Sequence, residues 1–261
     1  MIKTTMNTQY AVALPLTELI RQQLEQLHSS DGSSVQAESP QSLAERTGKL
    51  MCEMTCHIID YIFTDMVQQF ASVKELTADK VARFKESLQQ IEEIKGIIYK
   101  YFGRAVAWLD HQRLKPVIGY YYQIINQCSI AGESVPCLIY DIPDSLAAKA
   151  MTALDELKSL KASDALQAIE YLIEIVEIGV CKLLKEPKQL LKFNFIANKT
   201  LDGVMSMTTA LSYKSLRKLG QAMDPMLFDS AASHLHQFII PHPLNWHEAA
   251  GTNPALHPSI S

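Results

Sequence analysis

The sequence predicts an all-α protein, a helical bundle of about seven or eight helices, with one region that could instead form a short β-hairpin. The first observation is where prolines are missing, since a proline inside a helix removes a hydrogen bond and clashes with the preceding turn. None lies between Pro40 and Pro116, between Pro143 and Pro187, or between Pro187 and Pro225. The second is that apolar side chains recur every three or four residues within these windows, as in amphipathic helices.

The chain is expected to have three parts. Residues 1–40 hold an N-terminal helix, from about Leu16 to His28, and a polar, flexible linker with the sequence SSDGSSVQAESP. Residues 41–240 form the main helical-bundle domain. Residues 241–261 show no periodicity and are expected to form an irregular C-terminal tail.

Two long helices are predicted in the first proline-free window. One begins at a capping box made by Ser42 and Glu45 and runs to about Phe70. The other begins after Thr77, a residue type that caps helix N-termini. Apolar residues then recur at helical spacing, which predicts packing along the whole length of the second helix. They are Val81, Phe84, Leu88, Ile91, Ile94, Ile98, Tyr101, Ala105 and Leu109.

The region from Asp110 to Tyr140 leaves two interpretations open. The segment YYYQIINQC could continue a helix after Pro116. Residues 127–140, with the sequence QCSIAGESVPCLIY, could instead fold back as a short β-hairpin around Gly132.

Four further helices are predicted downstream. They begin at about Asp144, at Ser163, after Pro187 and at Pro225. The third ends at Gly220, in the usual place of a C-terminal glycine, and the last reaches about residue 240. Six apolar residues on the inner faces of the long helices are expected to be buried. They are Leu88, Ile91, Ile98, Leu172, Val176 and Leu183.

Charge and composition narrow the classes of function. With 24 basic and 28 acidic residues the net charge is -4, so nucleic acid is not expected as a partner. Five cysteines scattered through apolar segments predict reduced thiols and a cytoplasmic location, although secretion without a cleaved signal would leave the same pattern. The most apolar stretch, from Ile169 to Leu184, contains three glutamates, so it predicts a buried helix and no transmembrane segment.

The sequence lacks the familiar catalytic motifs of hydrolases, nucleotide-binding enzymes and zinc proteases. It therefore favours a non-enzymatic interaction protein that recognises another protein or an apolar ligand through helix faces, without a cofactor and with no signal for its oligomeric state. Trp108 and the run Tyr120, Tyr121 and Tyr122 are candidate ligand-binding residues, because aromatic side chains line apolar pockets. The alternative is that these aromatics are ordinary core and boundary residues.

Three carboxylates stand out within the apolar helix that begins near Ser163. Glu170, Glu174 and Glu177 share one narrow stripe. If the stripe is simply solvated, Glu174→Gln should leave stability nearly unchanged. Cations from another helix, a partner protein or a bound metal would also neutralise the stripe. With His57, the metal alternative predicts a helical-bundle metal-dependent enzyme or sensor.

Overall fold

The fold is mostly helical, as the sequence predicts. The structure is a computed structural model, and it describes residues 10–29, 40–107, 109–130, 132–158 and 165–241. Helices hold 78% of these residues, in eight continuous helices, and one small four-stranded antiparallel sheet accompanies them. The hairpin interpretation of residues 127–140 is confirmed, because β2 (Ile125–Ile130) pairs with β3 (Glu133–Asp141).

Eleven α-helical segments build the helical part of the described chain. They are α1 Glu18–Ser29, α2 Pro40–Ile59, α3 Asp65–Ala71, α4 Ala78–Ile97, α5 Arg104–Val106, α6 His111–Ile124, α7 Asp144–Lys158, α8 Ala165–Val180, α9 Glu186–Leu190, α10 Phe195–Ala222 and α11 Phe228–His236. Three π-helical segments join neighbouring helices without a break. Asp60–Thr64 joins α2 to α3, Ile98–Gly103 joins α4 to α5, and Cys181–Lys185 joins α8 to α9.

Short polar side chains set the starts of three helices. The side chain of Thr77 accepts a hydrogen bond from the Lys80 amide at the start of α4, as predicted. Asp110 caps α6 in the same way, so this helix begins at His111, includes Pro116 and continues to Ile124. Asn194 caps α10. The start of α2 differs from the prediction, because the helix begins at Pro40 rather than at Ser42.

The sheet contains two strands that local sequence patterns did not indicate. Its order is β2-β3-β1-β4, where β1 is Tyr10–Pro15 and β4 is Ile239–Pro241. Val12 pairs with Tyr140 on one side and with Ile239 on the other. The last helix was predicted to reach residue 240. It ends at His236 instead, because the following residues pair with β1.

The main hydrophobic core lies between one face of the sheet and the helices. Val12, Leu14, Leu138 and Tyr140 contribute to it from the sheet, and the buried residues of α1 belong to the same cluster. The opposite face of the sheet forms a separate small cluster. Its buried members are Ala11, Ala13, Cys137 and Ile139. The domain boundaries near residues 40 and 240 stay a prediction.

The burial prediction is confirmed for three of its six residues. Ile91, Ile98 and Leu183 are buried, whereas Leu88, Leu172 and Val176 are only partly buried. Leu172 and Val176 line an apolar cavity of about 40 Å³ between α7, α8, α11 and the sheet. Because their side chains border this space and also reach solvent, they are not the inner core that helical periodicity suggested.

Candidate interaction surface

The three consecutive tyrosines of α6 make three different contacts, because successive helix positions point about 100° apart. The hydroxyl of Tyr121 is buried and donates to the Leu183 carbonyl oxygen at 2.6 Å. That of Tyr120 lies 2.8 Å from Glu186 Oε2 and 3.0 Å from the Lys182 carbonyl oxygen. The exposed Tyr122 stacks on His28, with 4.0 Å between ring centroids.

Tyr120 and Tyr121 support the π-helical segment that joins α8 to α9. A π-turn changes the backbone pairing from the fourth to the fifth residue, so carbonyl oxygens at the transition need other donors. Burial raises the pKa of both tyrosines, which keeps their hydroxyls protonated as donors. The structure therefore gives these two residues a packing role and does not gather the three tyrosines around one cavity. Trp108 lies outside the described residues.

The glutamate stripe of α8 lies at the surface. Glu170, Glu174 and Glu177 are all exposed. The guanidinium of Arg217 in α10 donates two hydrogen bonds to the Glu170 carboxylate, at 2.7 and 2.8 Å. These bonds lower the pKa of Glu170. Among the described residues, no salt bridge joins Glu174 or Glu177 to a cation.

The residues of the metal alternative are not brought together. His57 makes a ring contact with Tyr61, with 6.3 Å between centroids, and it is not gathered with the glutamates. Within the described ranges, no three His, Cys, Asp or Glu side chains could jointly hold a metal ion. The metal hypothesis for Glu170, Glu174 and Glu177 with His57 therefore lacks the ligand cluster that it requires.

Glu174→Gln is expected to change the free energy of unfolding by only a few tenths of a kcal/mol, because the carboxylate is exposed and has no salt bridge with any residue that the structure describes. Urea denaturation of both proteins at neutral pH measures this. A loss several times larger would show that Glu174 has a cationic partner within the chain.

The outward face of α10 is the largest feature that sequence reasoning missed. Ile196 is 77% exposed, Met207 48% and Leu211 37%. Small side chains lie between them, and a Cβ built on Gly203 would meet no atom within 4 Å. We call this surface the α10 face. It consists of Phe195, Ile196, Thr200, Gly203, Ser206, Met207, Ala210 and Leu211.

The helix α8 and its continuation α9 run antiparallel to α10 on one side of this face. Near one end Arg217 donates a hydrogen bond to Glu170, and near the other Lys188 donates one to Asp202. Gly220 permits the close crossing, because a Cβ there would lie 2.7 Å from Ile169 Cγ1. Gly220 was predicted to end the helix. It lies inside α10, and its role is this approach to α8.

Helix α4 runs antiparallel to α10 on the other side. Lys218 Nζ donates to Glu86 Oε1 at 3.0 Å, and Ser215 Oγ donates to Gln90 Oε1 at 2.6 Å. By this register Glu93 lies about level with Leu211, and Lys100 lies about level with Val204. The α10 face is thus the middle of a three-helix surface.

The two ends of this surface carry opposite charge. Near Leu211 the flanking helices present Glu93, Glu174 and Glu177, all exposed. Near Ile196 they present the exposed cations Arg104 and Lys192, with Lys199 on α10 itself, whereas the exposed Lys100 and Lys185 lie nearer the middle of the surface. At the acidic end Arg217 and Lys218 are paired with Glu170 and Glu86 within the chain, and the exposed Lys214 offsets part of the carboxylate charge there.

The inner face of α10 contains a buried hydroxyl. Thr208 is 7% exposed, and its Oγ1 has no hydrogen-bond partner in the part of the chain that the structure describes. Thr208→Val keeps the shape and removes an unpaired polar group, so it is expected to raise the free energy of unfolding by about 1 kcal/mol. Thermal and urea unfolding measure the change. A loss of stability would mean that Oγ1 has a partner, such as an ordered water.

The thiols differ in the environment that sets their pKa. Burial raises the pKa of Cys52 and of Cys56 to about 12. Cys128 and Cys137 lie diagonally across β2 and β3 on one face of the sheet. The Cys137 thiol lies 3.7 Å from the Val135 carbonyl oxygen, and it can turn to donate to the Cys128 thiolate. This donation lowers the pKa of Cys128.

Iodoacetamide is therefore expected to label Cys128 faster than Cys52 or Cys56 throughout pH 6–10, because only the thiolate reacts. Labelling of Cys128 should reach half its maximal rate below the ordinary thiol pKa of about 8.5. Peptide mass spectrometry over a pH series measures each rate. Equal labelling of Cys52 in the folded protein would contradict this assignment.

Comparison with known proteins gives no assignment: no family model, no curated protein and no solved structure matches this chain. In the described part of the chain, no helix is both long and apolar enough to cross a membrane. The α10 face and its charged flanks are therefore the features from which function is inferred.

Proposed function

We propose that the protein is a non-enzymatic interaction protein that binds a helix of a protein partner along the α10 face. The observation that carries the proposal is the exposed apolar row of Ile196, Met207 and Leu211 along one helix. Single exposed apolar residues are common on protein surfaces, but aligned ones at helical spacing present the groove-and-ridge surface that another helix can bury. Removing this apolar surface from water would stabilise the complex by about 25 cal/mol for each Å² that is buried.

An apolar small molecule is the less favoured partner. The cavity between α7, α8, α11 and the sheet measures about 40 Å³, whereas ligand pockets usually have roughly 300 Å³ or more. Filling it would require the helices to separate. The α10 face needs no such rearrangement, because its apolar atoms are already exposed.

Nucleic acid is also disfavoured at this surface. Glu93, Glu174 and Glu177 would repel phosphates from its acidic end. The proposal places the protein in the cytoplasm, and the five free cysteines support a reducing compartment.

A model helix tests whether the α10 face binds protein helices. The probe is a synthetic amphipathic peptide of about 18 residues, roughly five turns, with leucines on one face, lysines towards one end and glutamates towards the other. It is titrated into dilute, fluorescently labelled protein. The expected dissociation constant is about 10–100 µM, because one helix face provides a small interface.

Met207→Lys should weaken peptide binding at least about tenfold, because it places a charge in the middle of the apolar row. The matched control is Leu19→Lys, which changes an apolar residue that is 63% exposed on α1, and it should bind the peptide like the wild type. A peptide with the same composition in scrambled order should not bind. Equal affinity of the wild type and Met207→Lys, or no binding at all, would overturn the proposed function.

A further inference from the structure

We infer that the partner helix is α10 of a second copy of this chain, packed antiparallel about a two-fold axis so that two three-helix surfaces face each other. The inference rests on the proposed function of the α10 face. It adds the identity of the partner and the direction in which the partner lies.

Charge self-complementarity is the first argument. One end of the surface presents Glu93, Glu174 and Glu177, and the other presents exposed lysines and arginine. In an antiparallel pair the acidic end of each copy meets the basic end of the other. On the α8 side, Glu174 and Glu177 then approach Lys192 and Lys199 of the second copy. The two glutamates without salt bridges among the described residues thus gain cations from outside the chain.

The shape of the α10 face supports the same arrangement. When the acidic end of each copy is set opposite the basic end of the other, the two-fold axis crosses α10 between Gly203 and Met207. The Met207 side chain of one copy then lies over Gly203 of the other, where a Cβ would meet nothing within 4 Å. Small residues at such a crossing let two helices approach closely, and methionine adapts its shape to the space available.

Other arrangements match the charges less well. Two copies packed in parallel would set carboxylates against carboxylates at one end and cations against cations at the other. A partner of uniform charge, whether acidic or basic, would be repelled at one of the two ends. An anionic membrane would meet the acidic end unfavourably for the same reason. A second copy in antiparallel orientation is complementary at both ends.

Sedimentation velocity and light scattering on the full chain test the inference. The wild type should shift from monomer to dimer as its concentration rises, and added salt should weaken the dimer, because exposed charges at its edges are screened. Met207→Lys should raise the dimer dissociation constant at least about tenfold. Circular dichroism checks that each variant stays folded.

A charge exchange tests the orientation. The double variant Glu174→Lys with Glu177→Lys puts lysines at both ends of the contact on the α8 side, and the double variant Lys192→Glu with Lys199→Glu puts glutamates at both ends of that contact. Each alone should be monomeric where the wild type is dimeric, and an equimolar mixture should recover a heterodimer. The matched control for the lysine variant is Glu75→Lys with Glu133→Lys, which makes the same change of net charge at exposed positions outside the three-helix surface. It should dimerise like the wild type.

The outcomes separate the two proposals. A monomeric wild type that still binds the model peptide would overturn the second copy as partner and leave the proposed function standing. A monomeric wild type that does not bind the peptide would overturn both. A dimer that Met207→Lys leaves unchanged, or a mixture of the charge variants that stays monomeric, would overturn the antiparallel α10 contact.

Discussion

Tyr121→Ala is expected to lower the free energy of unfolding by about 4–6 kcal/mol, which exceeds the effect of any surface change considered for this protein. The ring of Tyr121 is buried in the main core, so its removal leaves a cavity. Its hydroxyl donates to the Leu183 carbonyl oxygen, which would be left unpaired in the π-helical segment. Urea denaturation followed by far-UV circular dichroism measures the loss.

Tyr121→Phe separates the two contributions. The ring remains and only the hydroxyl is removed, so the expected loss is about 1–3 kcal/mol, the cost of a buried carbonyl without a donor. Tyr122→Phe is the control, because Tyr122 is exposed and its ring stacking on His28 survives the change. If Tyr121→Phe were as stable as the wild type, the hydroxyl would not support the π-helical segment.

Phe84→Ala is expected to lower the free energy of unfolding by about 3–5 kcal/mol. Phe84 is fully buried in the first turns of α4 and contacts Phe70, with 5.8 Å between ring centroids. Its loss would loosen α4 against α3 and disturb the flank of the α10 face that carries Glu86 and Glu93. Thermal and urea unfolding measure the effect.

The conservative variant Phe84→Leu should cost less than about 1.5 kcal/mol, because it retains most of the buried volume. Tyr99, an aromatic residue of the following π-helical segment, is exposed, so Tyr99→Ala is the matched control and should change stability little. A small loss from Phe84→Ala would mean that α4 packs through other residues.

Local periodicity predicted most of the helices because the signals that start and position a helix lie within it. The cap at Thr77 and the apolar spacing that follows need no distant residue. The strand Tyr10–Pro15 could not be found in this way, because its partners are residues 137–141 and 239–241. Pairing across such distances leaves no periodic mark in so short a segment.

The candidate site was only partly visible for a similar reason. The stripe of Glu170, Glu174 and Glu177 was correctly grouped from its spacing, but the sequence does not show that Arg217 neutralises Glu170. The aromatic run suggested a ligand site, yet the hydroxyls of Tyr120 and Tyr121 bond a π-helical segment that no spacing rule indicates. The α10 face went unnoticed because apolar spacing along a helix does not show whether a methionine is buried or exposed. Only the packing of α4 and α8 against α10 shows which side of the helix faces solvent.

Hydroxyl-radical footprinting of the wild type shows whether the α10 face becomes buried when the protein associates, because methionine oxidation reports exposure at single residues. Met207 and Met226 are matched reporters, 48% and 51% exposed, and only Met207 lies on the α10 face. As the protein concentration rises, we expect oxidation of Met207 to fall relative to oxidation of Met226. A ratio that stays constant while the protein dimerises would contradict the claim that the α10 face is the binding surface.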